Sequence, residues 1–409
     1  LECNVKLFAD DTCLFSVVHD PVISANALNS DLSKIQQWAY QWKMSFNPDP
    51  TKQAVEVTFS RKRLKGNHHP DLYFKGLLVQ KTESQKHLGV ILDEKLSFKD
   101  HLDHLLVKTT KCIAALRKLR FFVPRKSLVT IYKSFIRSHL DYADIIYDQP
   151  NNNTFCTKIE SIQYNAALAI TGAIRGSSKE KLYQELGLEY LSSRRWYRKL
   201  CLFYKILNNK HPTYLYNIVP RPTHSLNTRN QSQIPNIFCR TDFFANSFFP
   251  SSIKEWKKLG LDIRQSASYN QFKNLIIKSI RPTQNNIFDI CDSEGVKLLT
   301  RLRLGLSHLN KHKFNHGFRD TITPMCSCNT EEETVSHYLL RCPNFTQQRT
   351  HLMNELIKIF PNVLLTNDNL LSTILLFGDN QFSNNMNFKL LSLTIEYLIS
   401  SQRFDMPLF

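Results

Sequence analysis

The sequence predicts an α+β protein, with strands in its first hundred residues and mostly helices afterwards. Three observations carry this. Short apolar runs with polar or glycine-bearing tips recur as far as Asp93. From Phe98 onward the apolar residues recur every three or four positions, the period of a helix. The chain has 409 residues, 42% of them hydrophobic, which is enough for the cores of two or three domains.

The elements follow in order. Val5, Leu7, Phe8 and Ala9 precede the acid pair Asp10–Asp11, and Cys13, Leu14 and Phe15 follow it. Two such runs around a polar tip read as a β-hairpin with the acids at its turn. Adjacent like charges are costly to bury without a partner, and a divalent cation with hard oxygen ligands is one. The pair therefore fits a metal-holding turn or a solvated one, Asp being common in turns. After Pro21, the residues Leu28, Leu32, Ile35, Ala39 and Trp42 share one helical face, and Pro48 stops the helix. Lys52 stands in the next turn, either as a proton donor or positive charge for a departing phosphate or as a plain exposed lysine. Val55, Val57 and Phe59 alternate as a strand, and Arg61, Lys62, Arg63 and Lys65 follow as a solvated loop. Residues 72–79, with Gly76 inside, suit a hairpin, and residues 87–93 suit a further strand.

Helical stretches follow. Leu102, Leu105, Leu106, Ile113, Leu116 and Leu119 make one face. Leu128, Ile131, Tyr132, Phe135, Ile136 and Leu140 make a second, after Pro124. Ile159, Ile162, Ala166, Ala169 and Ile170 make a third, ending at Gly172. Lys108, Lys111, Arg117, Lys118, Arg120, Arg125 and Lys126 lie here with no acid among them. They fit a phosphate-gripping surface or an ordinary charged face. In residues 194–207, Arg194, Arg195, Arg198, Lys199 and Lys205 alternate with Trp196, Tyr197, Phe203 and Tyr204. These aromatics fit base stacking, but their helical spacing favours a core face. The proline-bearing polar stretch 221–236 reads as a linker.

The 53 Lys and Arg against 35 acids give a net charge of +18. That balance points to a polyanionic partner, nucleic acid first. No apolar stretch is long enough to span a bilayer. The first residues are not a signal peptide, and Leu1 is not an initiator methionine, so the chain is expected to be a fragment. The ten cysteines are scattered, as in a reducing compartment, except for Cys326, Cys328 and Cys342 around His337. A Cys₃His set is a structural zinc combination, although the usual gap between paired cysteines is two to four residues and here it is one. The remaining reading is free thiols in a small core. Arg301 and Arg303 belong to a basic run before this cluster, acid-free between Glu294 and Asp320.

In this order the blocks resemble the back half of a reverse-transcriptase palm from non-LTR (LINE-type, jockey-like) retrotransposons. Phe8-Ala9-Asp10-Asp11 matches the family's aromatic-Ala-Asp-Asp box. Residues 42–47 with Lys52 resemble the next block. His87-Leu88-Gly89-Val90-Ile91-Leu92-Asp93 resembles the primer-grip strand, with His87 a departure from the usual aromatic. The three helices that follow resemble a thumb, and Cys326, Cys328, His337 and Cys342 resemble the family's Cys-Cys-His-Cys module.

The resemblance implies a partial palm of antiparallel strands plus a helix over 1–97 and a helical thumb over 98–175. A helical connecting region then covers 176–290, and a helical C-terminal region with a zinc knuckle at 326–342 covers 291–409. It implies two-metal nucleotidyl transfer in the intact protein, with Asp10 and Asp11 among the ligands of Mg²⁺ or Mn²⁺ and Lys52 beside them. Priming from a nicked DNA target is also implied. RNA template, DNA target or primer, and deoxynucleoside triphosphates are the implied partners, in cytoplasm and nucleus. Lys108, Lys111, Arg117, Lys118, Arg120, Arg301 and Arg303 are the expected nucleic-acid contacts. Residues 1–9 hold no aspartate, so the upstream metal ligand is expected to be missing and the fragment inactive alone. That reading needs Asp10 and Asp11 to face a cation cradle rather than open solvent. The alternative is a non-catalytic nucleic-acid-binding remnant of such an element.

Overall fold

The computed structural model describes residues 1–47, 54–60, 69–209, 212–221, 234–280, 293–360 and 367–404. Lys52, the cations at 61–65 and most of the expected linker lie outside the described residues. The chain forms two compact units, Leu1–Leu105 and Leu106–Phe409. Helices dominate, and the strands fall in the first unit.

In the first unit, Asn4–Phe8 pairs antiparallel with Asp11–Phe15, Phe8 opposite Asp11. Ala9 and Asp10 form the two-residue turn, and Ala9 takes φ 51°, a left-handed value that favours glycine. Tyr73–Phe74 pairs with Leu77–Leu78, again antiparallel, through Lys75 and Gly76, both at positive φ. Val55–Glu56 runs parallel to Gln80–Lys81, a departure from the all-antiparallel expectation. Among the described residues the strands form four two-stranded ladders rather than one sheet.

Residues 87–93 are not a single strand. Ser84–His87 pairs antiparallel with Val90–Asp93, and Leu88 and Gly89 are the turn between them, at φ 45° and 85°. Two left-handed residues suit a tight hairpin whose twist matches its strands. A run of apolar residues concealed that reversal.

The helix Pro21–Gln41 starts at Asp20, whose side chain accepts from the Val22 and Ile23 amides, with proline in the first turn. Ala25, Leu28 and Leu32 pack against Leu72, Phe74 and Val79. Trp42 is 69% exposed, because it caps the helix end instead of extending the apolar face. Asp31 is fully buried and accepts from the Glu2 amide at 2.7 and 2.9 Å and the Cys3 amide at 2.7 Å. The helix thereby holds the start of the acid-tipped hairpin. Burial works against the Asp31 charge, but the Cys3 and Glu2 amides and Lys34 outweigh it and hold its pKa down to about 2.

Asp31→Ala is expected to cost this unit about 1.5–3 kcal/mol, the worth of hydrogen bonds to a charged group. Amide exchange in residues 4–15 should speed up, and unchanged exchange there would refute the anchor. The contribution of Asp31 is present above about pH 4, its unfolded value, and fades as pH falls toward about 2.

In the second unit, the helix Lys99–Leu119, which begins in the first, is followed by Arg125–Ile131, a π turn at Tyr132–Arg137 and Ser138–Asp141. Leu128, Tyr132, Ile136 and Leu140 are buried. A strict four-residue repeat drifts about 40° per step on an α-helix, and the wider π turn offsets that drift. Asn153–Thr171 runs from the Asn152 cap to Gly172 at φ 66°.

The helix Leu191–Asn209 packs with Phe248–Lys258 and Tyr269–Ile280 around Leu200, Phe203, Tyr204, Trp256 and Phe272. Its cations meet a matching row of acids. Arg194 binds Asp141 through both nitrogens at 2.6 and 2.7 Å, Arg195 meets Asp148 at 2.8 Å, Arg198 meets Asp144 at 2.8 Å, and Lys199 meets Asp148 at 3.0 Å. Of the two sequence readings of this stretch, the core face is the observed one. Ser293–Arg303, Thr346–Ile359, Asp368–Phe377 and Asn384–Ser400 enclose a last core, which includes Leu299, Leu356, Leu375 and Leu390. No described helix is long and apolar enough to cross a membrane.

Candidate metal centre and nucleic-acid interface

Cys326, Cys328, His337 and Cys342 converge, with one ligand atom from each lying within 4.8 Å of all the others. Cys326 Sγ is 3.6 Å from Cys342 Sγ, and Cys328 Sγ is 3.2 Å from His337 Nε2. Tetrahedral zinc with ordinary bond lengths would set about 3.8 Å between two sulfurs and about 3.5 Å between sulfur and nitrogen. The donor set fits that ion.

Two local devices make the convergence. Met325 and Glu332 form an isolated bridge, and the Cys326 carbonyl accepts from the Asn329 amide at 2.9 Å. Asn329 sits at φ 59°, tightening the turn so that a one-residue gap still turns both thiols inward. His337–Arg341 is a π turn, closed by the Cys342 amide donating to the His337 carbonyl at 2.7 Å. Five residues apart on an α-helix lie about 140° apart, whereas the wider π turn returns His337 and Cys342 to one side. Such turns are frequent at functional sites.

The cluster is seated in the C-terminal core. Cys326 and Cys342 belong to it, and Tyr338 between them is fully buried. The Tyr397 hydroxyl donates to the Tyr338 carbonyl at 2.7 Å. Glu333, 1% exposed, accepts from both Arg403 nitrogens and from the Asn310 amide. His337 Nδ1 is a buried atom without a hydrogen bond, 3.6 Å from Glu331, which leaves Nε2 as the nitrogen facing the thiols.

Burial pushes the Cys342 thiol up to about 12 and raises Cys326 as well. Burial also presses on Cys328, but hydrogen bonds with Thr330, Cys326 and His337 bring it down to about 6. Zinc takes thiolates, so its binding here would release protons and strengthen as pH rises.

The hairpin tip is different. Asp10 and Asp11 are both exposed, and among the described residues no third ligand joins them. Among the described residues of this unit no cradle forms around them. His87, Leu88 and Gly89 are brought to another hairpin tip of the same unit.

The expected nucleic-acid contacts divide. Lys108, Lys111, Arg117 and Lys118 are exposed. Arg120 and Arg301 are half-buried. Arg303 lies inside the fold rather than on an open surface. It is buried, donating from Nε to the Leu376 carbonyl at 2.6 Å and from Nη1 to Glu185 at 2.9 Å. Arg125 meets the same Glu185 at 3.1 Å. The spacing of basic residues carried no sign of this buried triad, because its acid lies far away in sequence.

Comparison with known proteins gives the same direction as the motifs. The RNA-directed DNA polymerase from mobile element jockey of Drosophila funebris is 29% identical over 179 residues, 42% of this chain and 18% of its own length. Its Drosophila melanogaster counterpart is 26% identical over 174 residues, 41% of this chain and 18% of its own. The probable RNA-directed DNA polymerase from transposon BS of Drosophila melanogaster is 27% identical over 124 residues, 30% and 13%. The chain resembles non-LTR retrotransposon RNA-directed DNA polymerases and spans about a fifth of the length of the curated relatives it matches. No family profile matches the chain, and no solved structure does.

Proposed function

We propose that this chain is the C-terminal portion of a non-LTR retrotransposon RNA-directed DNA polymerase. The observation that carries this reading is its similarity, across about two fifths of its residues, to the jockey polymerases. In the intact protein, nucleotidyl transfer would use two divalent metals that stabilise the attacking and leaving oxygens. Asp10 and, more weakly, Asp11 would supply part of the ligand set, with Lys52 near the departing pyrophosphate. Two exposed carboxylates do not complete such a site, so further carboxylates must come from outside these residues. Residues 326–342 fit structural zinc. RNA template, DNA target and deoxynucleoside triphosphates are the partners, and priming from a nicked target follows from the family.

One observation favours a second reading. The zinc ligands converge while the acid tip stands open, as in a remnant kept for binding alone. The two readings part on the genomic DNA just 5′ of the Leu1 codon: a polymerase keeps an in-frame aspartate-bearing strand there, and a remnant does not.

The purified chain is expected to bind RNA and RNA–DNA hybrid in a salt-dependent way and to extend no primer with Mg²⁺ or Mn²⁺. Robust templated synthesis would refute the assignment as an incomplete polymerase. Absence of nucleic-acid binding at low salt would refute both readings.

A further inference from the structure

The C-terminal end of the helix Asn153–Thr171 gathers more positive charge than its own carbonyls need. Arg301 Nε donates to the Gly172 carbonyl at 3.0 Å. A Cβ at Gly172 would stand 2.9 Å from Lys297 Cγ and 3.0 Å from Arg120 Nη1, so both side chains lie against the same stretch of backbone. Arg117, one turn before Arg120, is exposed. The local carboxylate, Glu294, is engaged by Lys297 at 2.7 and 3.0 Å. Among the described residues neither Arg120 nor Arg301 forms an ion pair.

A helix C-terminus carries about half a negative charge, which one arginine satisfies. Here three cations crowd around it, two of them half-buried guanidiniums with no carboxylate at ion-pair distance. Burial lowers the basicity of Arg301; Glu294 counters this and Arg120 adds to it. An arrangement that costs desolvation and mutual repulsion is relieved by an external anion. Guanidinium forks match phosphate oxygens in particular.

We propose that Arg120, Lys297 and Arg301 form a binding site for one backbone phosphate of a nucleic acid, made jointly by the end of the Lys99–Leu119 helix and the Ser293–Arg303 helix. The proposal rests on the nucleic-acid reading above and goes further by making two basic stretches, far apart in sequence, one site. A polymeric phosphate is favoured over a free one because exposed Arg117, one turn before Arg120 on the same side of the helix, offers a longer polyanion a further contact.

The test uses the full chain and a fluorescein-labelled RNA–DNA hybrid, with the dissociation constant followed over about 50 to 200 mM salt. Arg120→Gln/Arg301→Gln is expected to weaken binding irrespective of sequence and to reduce the slope of log K against log salt by about 1. Arg120→Lys/Arg301→Lys, which keeps the charge, should restore the slope and so separate lost contact from misfolding. Equal slopes for the wild type and the glutamine variant would overturn this site and leave the nucleic-acid reading standing. A wild type that does not bind the hybrid would overturn both. Phosphate binding that is lost in the glutamine variant, with no change in hybrid affinity or slope, would assign the site to free phosphate and also overturn the proposal.

Discussion

Cys328→Ser in the full chain is expected to abolish stoichiometric zinc and to melt the C-terminal helices. Cys328 is the half-exposed ligand, so its loss removes a zinc bond with the least loss of packing. The scale is set by structural zinc, whose binding contributes about 10–16 kcal/mol at pH 7. A folded domain holds in total only about 5–15 kcal/mol. Chelation of the wild type should produce the same melted state, and metal return should reverse it. Cys239→Ser, outside the cluster, is the control and should keep its metal. Metal analysis with far-ultraviolet circular dichroism reads both effects. A wild type that purifies folded and metal-free, with a melting curve matched by Cys328→Ser, would leave these cysteines as plain core thiols.

Glu185→Ala is expected to cost about 3–5 kcal/mol, the range for removing one partner of a buried charge set. Glu185 is 5% exposed and lies between Arg125 at 3.1 Å and Arg303 at 2.9 Å. Its removal leaves two buried guanidiniums facing each other. Urea unfolding of the full chain should show the fall as a lower midpoint. Replacing all three residues by apolar ones of similar volume should restore much of the loss, since a buried ionic set often stabilises no more than good packing. If Glu185→Ala shifts the midpoint no more than Glu396→Ala, at an exposed site, does, the triad carries no weight. Arg303→Ala should be destabilising for the same reason, and a drop in its nucleic-acid binding would therefore not mark it as a phosphate contact.

Much of the helical half was legible because burial follows period. The faces led by Leu102, Leu128 and Ile159 appear as helices close to their expected limits, and Gly172 ends its helix with the positive φ that glycine permits. The Cys₃His set was legible as composition and spacing. Its π turn was not, since nothing in His337-Tyr338-Leu339-Leu340-Arg341 distinguishes five-residue from four-residue hydrogen bonding. The strand region was less legible. The hairpin at 73–78 was legible from Gly76, whereas the one at 84–93 turns on Leu88-Gly89 inside a run that reads as one continuous strand. No local pattern singles out Asp31, because its backbone partners at Glu2 and Cys3 are 29 and 28 residues away.

By itself the sequence determined the α+β order, the basic balance, the acid-tipped hairpin and the four zinc-type ligands, because each depends on residue identity and short spacing. Only the tertiary structure decided which charges are available. Arg194, Arg195 and Arg198 meet acids some fifty residues away, and Arg303 is enclosed with Glu185. Arg120, Lys297 and Arg301 instead meet at Gly172 without enough acid to neutralise them. A cation's role is set by the counter-charge and solvent around it, and those neighbours come from distant parts of the chain.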